Sequence, residues 1–189
     1  LPPRMPILAA TAFVFTLVLV FLSRFSNALV AIPQPRLIRF QFFRLPVELL
    51  LAALAMKGLL PKEMTFHLFA GGRNFDIFTA LSAPIVAYFV AQKGEREMRW
   101  LVTVWNVAGL ALLVNVVVHG MLSQPYFFKT LHLSVDNVIV SRFPVTWLVS
   151  FLVPCALALH LLSLRRAWSK TVRLERPGAG LSFVSRLLA

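Results

Sequence analysis

The chain has 189 residues, of which 59% are apolar and only 14% charged, with a net charge of +12. A soluble domain carries about 25% charged residues, so this balance excludes an ordinary water-soluble domain, and the length allows one bundle. The positive charge does not point to nucleic acid, because the basic residues sit at the ends of apolar runs and in the carboxyl tail.

Five apolar runs follow one another, near Pro6–Leu22, Phe40–Leu60, Ile77–Gln92, Trp100–Leu122 and Pro144–Leu164. About 20 mostly apolar residues in a helix cross the ~30 Å hydrocarbon core of a bilayer. The expected fold is an all-α membrane protein, a polytopic bundle of five transmembrane helices over residues 1–166 with a basic cytoplasmic tail over 167–189. The first run lacks a small-residue cleavage site and is followed by Arg24, so it reads as a span and not a signal peptide. The second starts either at Phe40, which draws Arg44 and Glu48 toward the membrane, or at Pro46. Proline suits the first turn of a helix and kinks one elsewhere, so Pro46 fits both. Pro154 is expected to bend the fifth run.

Assigning the connecting segments alternately to two sides divides the basic residues unevenly. Thirteen fall on one side, including Arg24, Arg36, Arg39, Arg44, Lys93, Arg96, Arg99, Arg165 and Arg166. Six fall on the other: Arg4, Lys57, Lys62, Arg73, Lys129 and Arg142. The positive-inside rule puts the richer set in the cytoplasm, with Leu1 outside and the carboxyl terminus inside. An outside amino end is easiest to reach through an earlier helix, so a sixth span before Leu1 is expected. The two longer outer connections are Pro61–Phe75 and Ser123–Phe143, the second rich enough in aromatic residues to touch the interface. Ser182–Ala189 reads as solvated or lipid-touching tail.

Ionisable and polar groups at membrane depth are costly and therefore draw attention. Arg44 and Glu48 are four residues apart, on one helix face with Gln41. They are expected to form a coupled polar network pointing inward, with Asn106 as a further partner. The bland alternative is an anchor at the cytoplasmic surface. Asp76 opens the third run, where it is expected to cap free backbone N–H groups. Asn115 and His119 share a face near the outer end of the fourth run, and with Asp76 they are weaker outer-side candidates. Ala80, Ala83, Ala87 and Ala91, with Gly109, read as small-residue packing positions. Cys155 reads as a small packing residue.

No catalytic motif is present, and no cofactor or metal is expected. A bis-histidine haem needs two histidines at matched depth. His119 is placed near the outer end of the fourth run and His160 near the inner end of the fifth, so they do not match. His67, His119 and His132 follow no metal-ligand spacing.

Three segments carry a resemblance. They are Arg44-Leu45-Pro46-Val47-Glu48-Leu49, Gly72-Arg73-Asn74-Phe75-Asp76-Ile77, and Trp105-Asn106-x-x-Gly109-Leu110, with Met64-Thr65-Phe66 before the second. Together they resemble a family of uncharacterised bacterial multi-pass inner-membrane proteins, over about Pro2 to Arg166. The resemblance implies an inner-membrane location and no particular chemistry. Residues His67–Gly71 look like extra loop relative to that family. The function expected is an accessory or scaffold subunit in the lipid bilayer, packing against other membrane-protein chains. The alternative is a small-solute or proton-linked transporter using Arg44, Glu48 and Asn106.

Overall fold

The structure is a computed structural model and describes residues 4–66, 72–126 and 129–169. His67, Gly71 and most of the basic tail, Ser182–Ala189 included, lie outside the described residues. Among the described residues every regular element is helical. Helix α1 spans Arg4–Leu17 and runs on through a π turn at Val18–Leu22. The short α2 covers Ser26–Val30. Helix α3, Gln34–Phe40, continues through a 3-10 turn at Gln41–Phe43 into α4, Arg44–Met56. Then come α5, Ile77–Lys93, and α6, Arg99–Leu122. A π turn at Leu148–Leu152 leads into α7, Val153–Ala167.

Three of these helices are long and apolar enough to cross a membrane: Arg4–Leu22, Arg99–Leu122 and Leu148–Ala167. The expectation of five such helices is not met on length and composition. Helix α5 is apolar but has only 17 residues, and α3–α4 carries four charged side chains: Arg36, Arg39, Arg44 and Glu48.

The second run is also displaced from its expected bounds. Its helix begins at Gln34, set by Pro33 and by Pro35 in the first turn, where a missing N–H costs nothing. It ends in a left-handed Gly58 (φ 67°). There the Gly58 N–H donates to Ala55 O (2.9 Å) and the Leu59 N–H to Leu54 O (3.0 Å), which satisfies the last carbonyls. A Gly58→Ala change should cost about 1–2 kcal/mol, because a Cβ disfavours that backbone region. Thermal unfolding of the detergent-solubilised protein measures it. Proline explains the interruption in mid-helix as well. Pro46 cannot donate to the carbonyl four residues back, and its ring crowds that turn, so Gln41–Phe43 tightens to 3-10. Pro154 acts alike on the turn before it, where Leu148–Leu152 widens to π.

The connections define two ends of the bundle. At one end Glu95 accepts from the Gln34 backbone N–H (2.9 Å) and forms a two-point pair with Arg166 (2.7 and 3.0 Å). Arg166 also donates to the carbonyls of Val30 and Ala31 that α2 leaves free (3.0 and 3.1 Å), and Arg165 donates to Val20 O in the π turn of α1. At the other end Glu63 accepts from the Ser134 hydroxyl (2.8 Å) and N–H (3.2 Å), which clips the two longer connections together. Asn137, fully buried, holds the second connection to the end of α6 through Gly120 O (3.2 Å). Tryptophans sit near both ends: Trp100 and Trp168 edge to face (5.3 Å), with Arg99 over Trp168 (4.4 Å), and Trp147 against Phe151 (6.4 Å).

Partial burial raises the Glu63 carboxyl, but its own backbone N–H and the Ser134 hydroxyl and N–H lower it further, leaving it below its ordinary value. A carboxyl lowered by folding stabilises above its unfolded value and loses that contribution as pH falls through the folded one. Protection of the Ser134 amide from hydrogen exchange, taken relative to its intrinsic rate at each pH, should therefore fall on acidification through the range below about pH 4.3, and in Glu63→Ala at neutral pH.

Helices α5 and α6 pack closely on their neighbours through small residues. Ala80, Ala83 and Ala87 are fully buried, and so is Gly109. Ala91 is exposed, and Val90 completes the stripe in its place. At 3.6 residues per turn the inward face runs 80, 83, 87, 90, so the expected position was one residue too far along.

Candidate functional site

Six polar side chains meet near the middle of the bundle: Arg44, Glu48, Asn74, Asp76, Asn106 and His160. Each is at most 5% exposed. Their positions follow from helix geometry. Arg44 lies ten residues into the continuous α3–α4 helix, about 15 Å from its start at ~1.5 Å per residue. Gly109 is ten residues into α6, and His160 lies near the middle of the Leu148–Ala167 helix. Asn74 and Asp76 come from the other end, on a segment that folds inward before α5 begins.

Arg44 pairs through Nη2 with Asp76 Oδ2. Arg44 and Glu48 both point inward, but they make no direct hydrogen bond; Glu48 accepts from Asn74 Nδ2 (2.8 and 3.0 Å). With Arg44 in mid-bundle, the inward-folded Asp76 comes within its reach. Asp76 does not cap α5 with its side chain either. Asn74 takes that part, its Oδ1 accepting from the Asp76 N–H (2.9 Å).

The second donor of Arg44, Nη1, lies 3.1 Å from His160 Nε2. An arginine only donates, so Nε2 must accept, and the ring is neutral with its proton on Nδ1. Nδ1–H then donates to Asn106 Oδ1 (2.9 Å). That fixes the Asn106 amide, whose Nδ2 donates to Ser163 Oγ (2.8 Å) and Val102 O (2.8 Å). Gln34 Nε2 donates to the same Ser163 Oγ (2.5 Å). A single hydrogen-bonded chain thus runs from Gln34, beside Glu95, to Asp76. Asn106 belongs to it through His160 and not by direct contact with Arg44. His160 sits in mid-bundle, not near the inner end as its place in the fifth run suggested. Both of its ring nitrogens are engaged, so binding a metal would break one of these bonds.

Gly109 makes room for this ring. A Cβ there would collide with His160 Cε1, fall 2.8 Å from Nε2 and 3.2 Å from Thr79 Cγ2. Trp105 covers another side of the ring (5.5 Å) and is fixed by its indole N–H donating to Ser82 Oγ (2.9 Å).

The other outer-side candidates stand apart. Asn115 Nδ2 donates to Arg73 O (3.3 Å), and His119 Nδ1 bonds to Asn115 O of its own helix (2.9 Å). Neither joins the six. Among the described residues no group of three metal-ligating side chains occurs. Gln34, Asn74, His160 and Ser163 were not singled out as site residues. The available signal was their polarity within or beside apolar runs, together with the His160–Ser163 spacing of three, which shares a helix face.

Two features set the chemistry. First, the centre holds two carboxyl groups, Glu48 and Asp76, against one guanidinium. Second, a cavity of about 30 Å³ lies beside Arg44, Glu48 and Asp76, walled by Leu51, Leu113 and Leu148 among others. Asp76 Oδ1, buried at this cavity, has no hydrogen-bond partner. A volume of about 10–15 Å³ admits one water, so this space takes about two waters.

These features define an all-helical protein with three helices able to cross a membrane and a polar centre buried in its bundle. The chain belongs to the family described as "Domain of unknown function (DUF8737)", whose profile matches residues 4–168. That agrees with an uncharacterised family, as the three sequence segments implied. A search of curated proteins found no match, and neither did a search of solved structures.

Proposed function

We propose that this chain is a multi-pass inner-membrane protein that moves a proton, with Glu48 as the group that takes it up and releases it. The observation that carries the reading is the excess carboxyl. Arg44 is committed to Asp76 and His160, and Glu48 hydrogen-bonds to the Asn74 amide, with Arg44 and Asp76 near enough to act on it electrostatically. Two buried carboxyls sharing one guanidinium cannot both be fully compensated, and a proton on Glu48 relieves the excess. In this arrangement α1, α3–α4, α5, α6 and α7 all cross the bilayer. The end holding Glu95 and Arg166 is cytoplasmic, by the same basic asymmetry with Arg44 now removed from it. The tryptophans at both ends fit the two interfaces.

The scaffold reading is less favoured. It relied on small-residue faces meeting other chains, and Ala80, Ala83 and Ala87 are used inside this one. The test is proton flux into liposomes carrying the purified chain, driven by a potassium diffusion potential. Flux above protein-free liposomes, lost in Glu48→Gln and kept in Glu63→Gln, is expected. No flux from a folded wild-type protein would overturn the reading and return the scaffold function to first place.

A further inference from the structure

We infer that the Glu48–Asp76 centre is hydrated from the Glu63–Ser134 end, through an inlet between α4, α6 and α7. The inference deepens the proton-moving reading and rests on it for its purpose, but its geometry is independent. A second cavity, of about 50 Å³, adjoins the first. The two share the walls Leu51, Val116, Leu148 and Val153. The second is lined at its far side by Gln124 and Asn137, beside the clipped connections.

Both cavities expose the same chemical demand. Gln124 Oε1 and Asn137 Oδ1 at the second, and Asp76 Oδ1 at the first, are buried acceptors without a donor from the protein. Gln124 and Asn137 are at most 4% exposed. Buried acceptors are almost always satisfied, and where no protein donor reaches them, water does. The combined volume admits about five waters, held by the polar groups at its two ends, while the walls between them, Leu51, Val116, Leu148 and Val153, are apolar.

On the opposite side the chain Gln34–Ser163–Asn106–His160–Arg44 lies across the way, with Gln34 Oε1 and Gln41 Oε1 beside it as further buried acceptors without a donor from the protein. It conducts no proton itself. Amides and a guanidinium do not pass a proton on by accepting one and releasing another, and His160 Nε2 is already occupied by Arg44. Proton release toward that side through this chain requires the Arg44–His160 bond to open.

Hydroxyl-radical footprinting of the full chain in lipid nanodiscs tests this, because radicals arise from water next to the side chain they oxidise. Four leucines of similar burial serve as reporters. Leu60 lines the second cavity and Leu113 the first, while Leu37 and Leu162 pack with Val20 near the other end. Leu60 and Leu113 should be oxidised several-fold faster than Leu37 and Leu162. Gly120→Leu fills the second cavity, since a Cβ at Gly120 already touches Met64 Cε at 3.4 Å. It should protect Leu113, and Val116→Phe at the shared wall should protect Leu113 while Leu60 stays reactive. Equal, slow oxidation of all four leucines would overturn the inlet, as would Leu113 oxidation indifferent to both plugs. Glu48→Gln should keep the wild-type pattern. Oxidation without proton flux removes the functional reading and leaves the inlet; flux without oxidation does the reverse.

Discussion

Replacing Arg44 by Gln is expected to cost about 3–5 kcal/mol of stability, the largest effect of any single charge change in the chain. The substitution strands the Asp76 carboxyl in the bundle core, already lacking a partner at Oδ1, and removes the donor to His160. Removing both charges should be far milder than the sum. Arg44→Gln with Asp76→Asn leaves two amides that satisfy each other, so a coupling of several kcal/mol should appear in a double-mutant cycle. The same cycle between Arg44 and Glu48 should show much weaker coupling, because Glu48 is held by Asn74. Chemical unfolding of the four variants in one detergent decides between the pairings. Stronger coupling to Glu48 than to Asp76 would mean that the centre is wired differently.

Gly109→Val is expected to be nearly as damaging, for a steric reason. His160 cannot swing aside to admit a Cβ, because Nε2 is tied to Arg44, Nδ1 to Asn106, and Trp105 covers another side. Overpacking a close-packed interior costs about 1–3 kcal/mol, and here it also breaks hydrogen bonds, so the upper end or beyond is expected. Gly120→Ala is the matched control on the same helix, since a Cβ there makes only ordinary contact. Thermal midpoints should fall steeply for Gly109→Val and barely for Gly120→Ala. Equal midpoints would show that α6 and α7 are not in close approach at this point.

What the sequence disclosed and what it concealed follow one pattern. Hydropathy along a helix is a local property, and four of the five apolar runs lie within a few residues of their helices. The exception, residues 34–56, carries its polar residues inside the helix, where a hydropathy boundary moves inward toward Phe40. That one displacement misplaced the rest. It put Arg44 at an end, gave it Glu48 and Asn106 as candidate partners, and left Asp76 to cap its own helix. Arg44, Glu48 and Asn106 were recognisable because charge and amide groups in apolar surroundings are costly. Their partners were not, because partnership depends on a segment between α4 and α5 folding inward by an amount that no periodicity encodes. His160 illustrates the limit. Its depth was judged from the end of the fifth run, whereas its helix extends to Ala167 and brings it to mid-bundle. Ala91 was misjudged by a smaller error, one residue of drift along a helical stripe.

The most direct test of the central claim is infrared difference spectroscopy of the folded protein across a pH titration. A carbonyl stretch of a protonated carboxyl should appear and disappear reversibly while the helices stay intact. It should shift in D₂O, vanish in Glu48→Gln and persist in Glu63→Gln. If no such band changes anywhere in the range over which the chain remains folded, or if the band survives Glu48→Gln, then Glu48 is not the group that exchanges a proton.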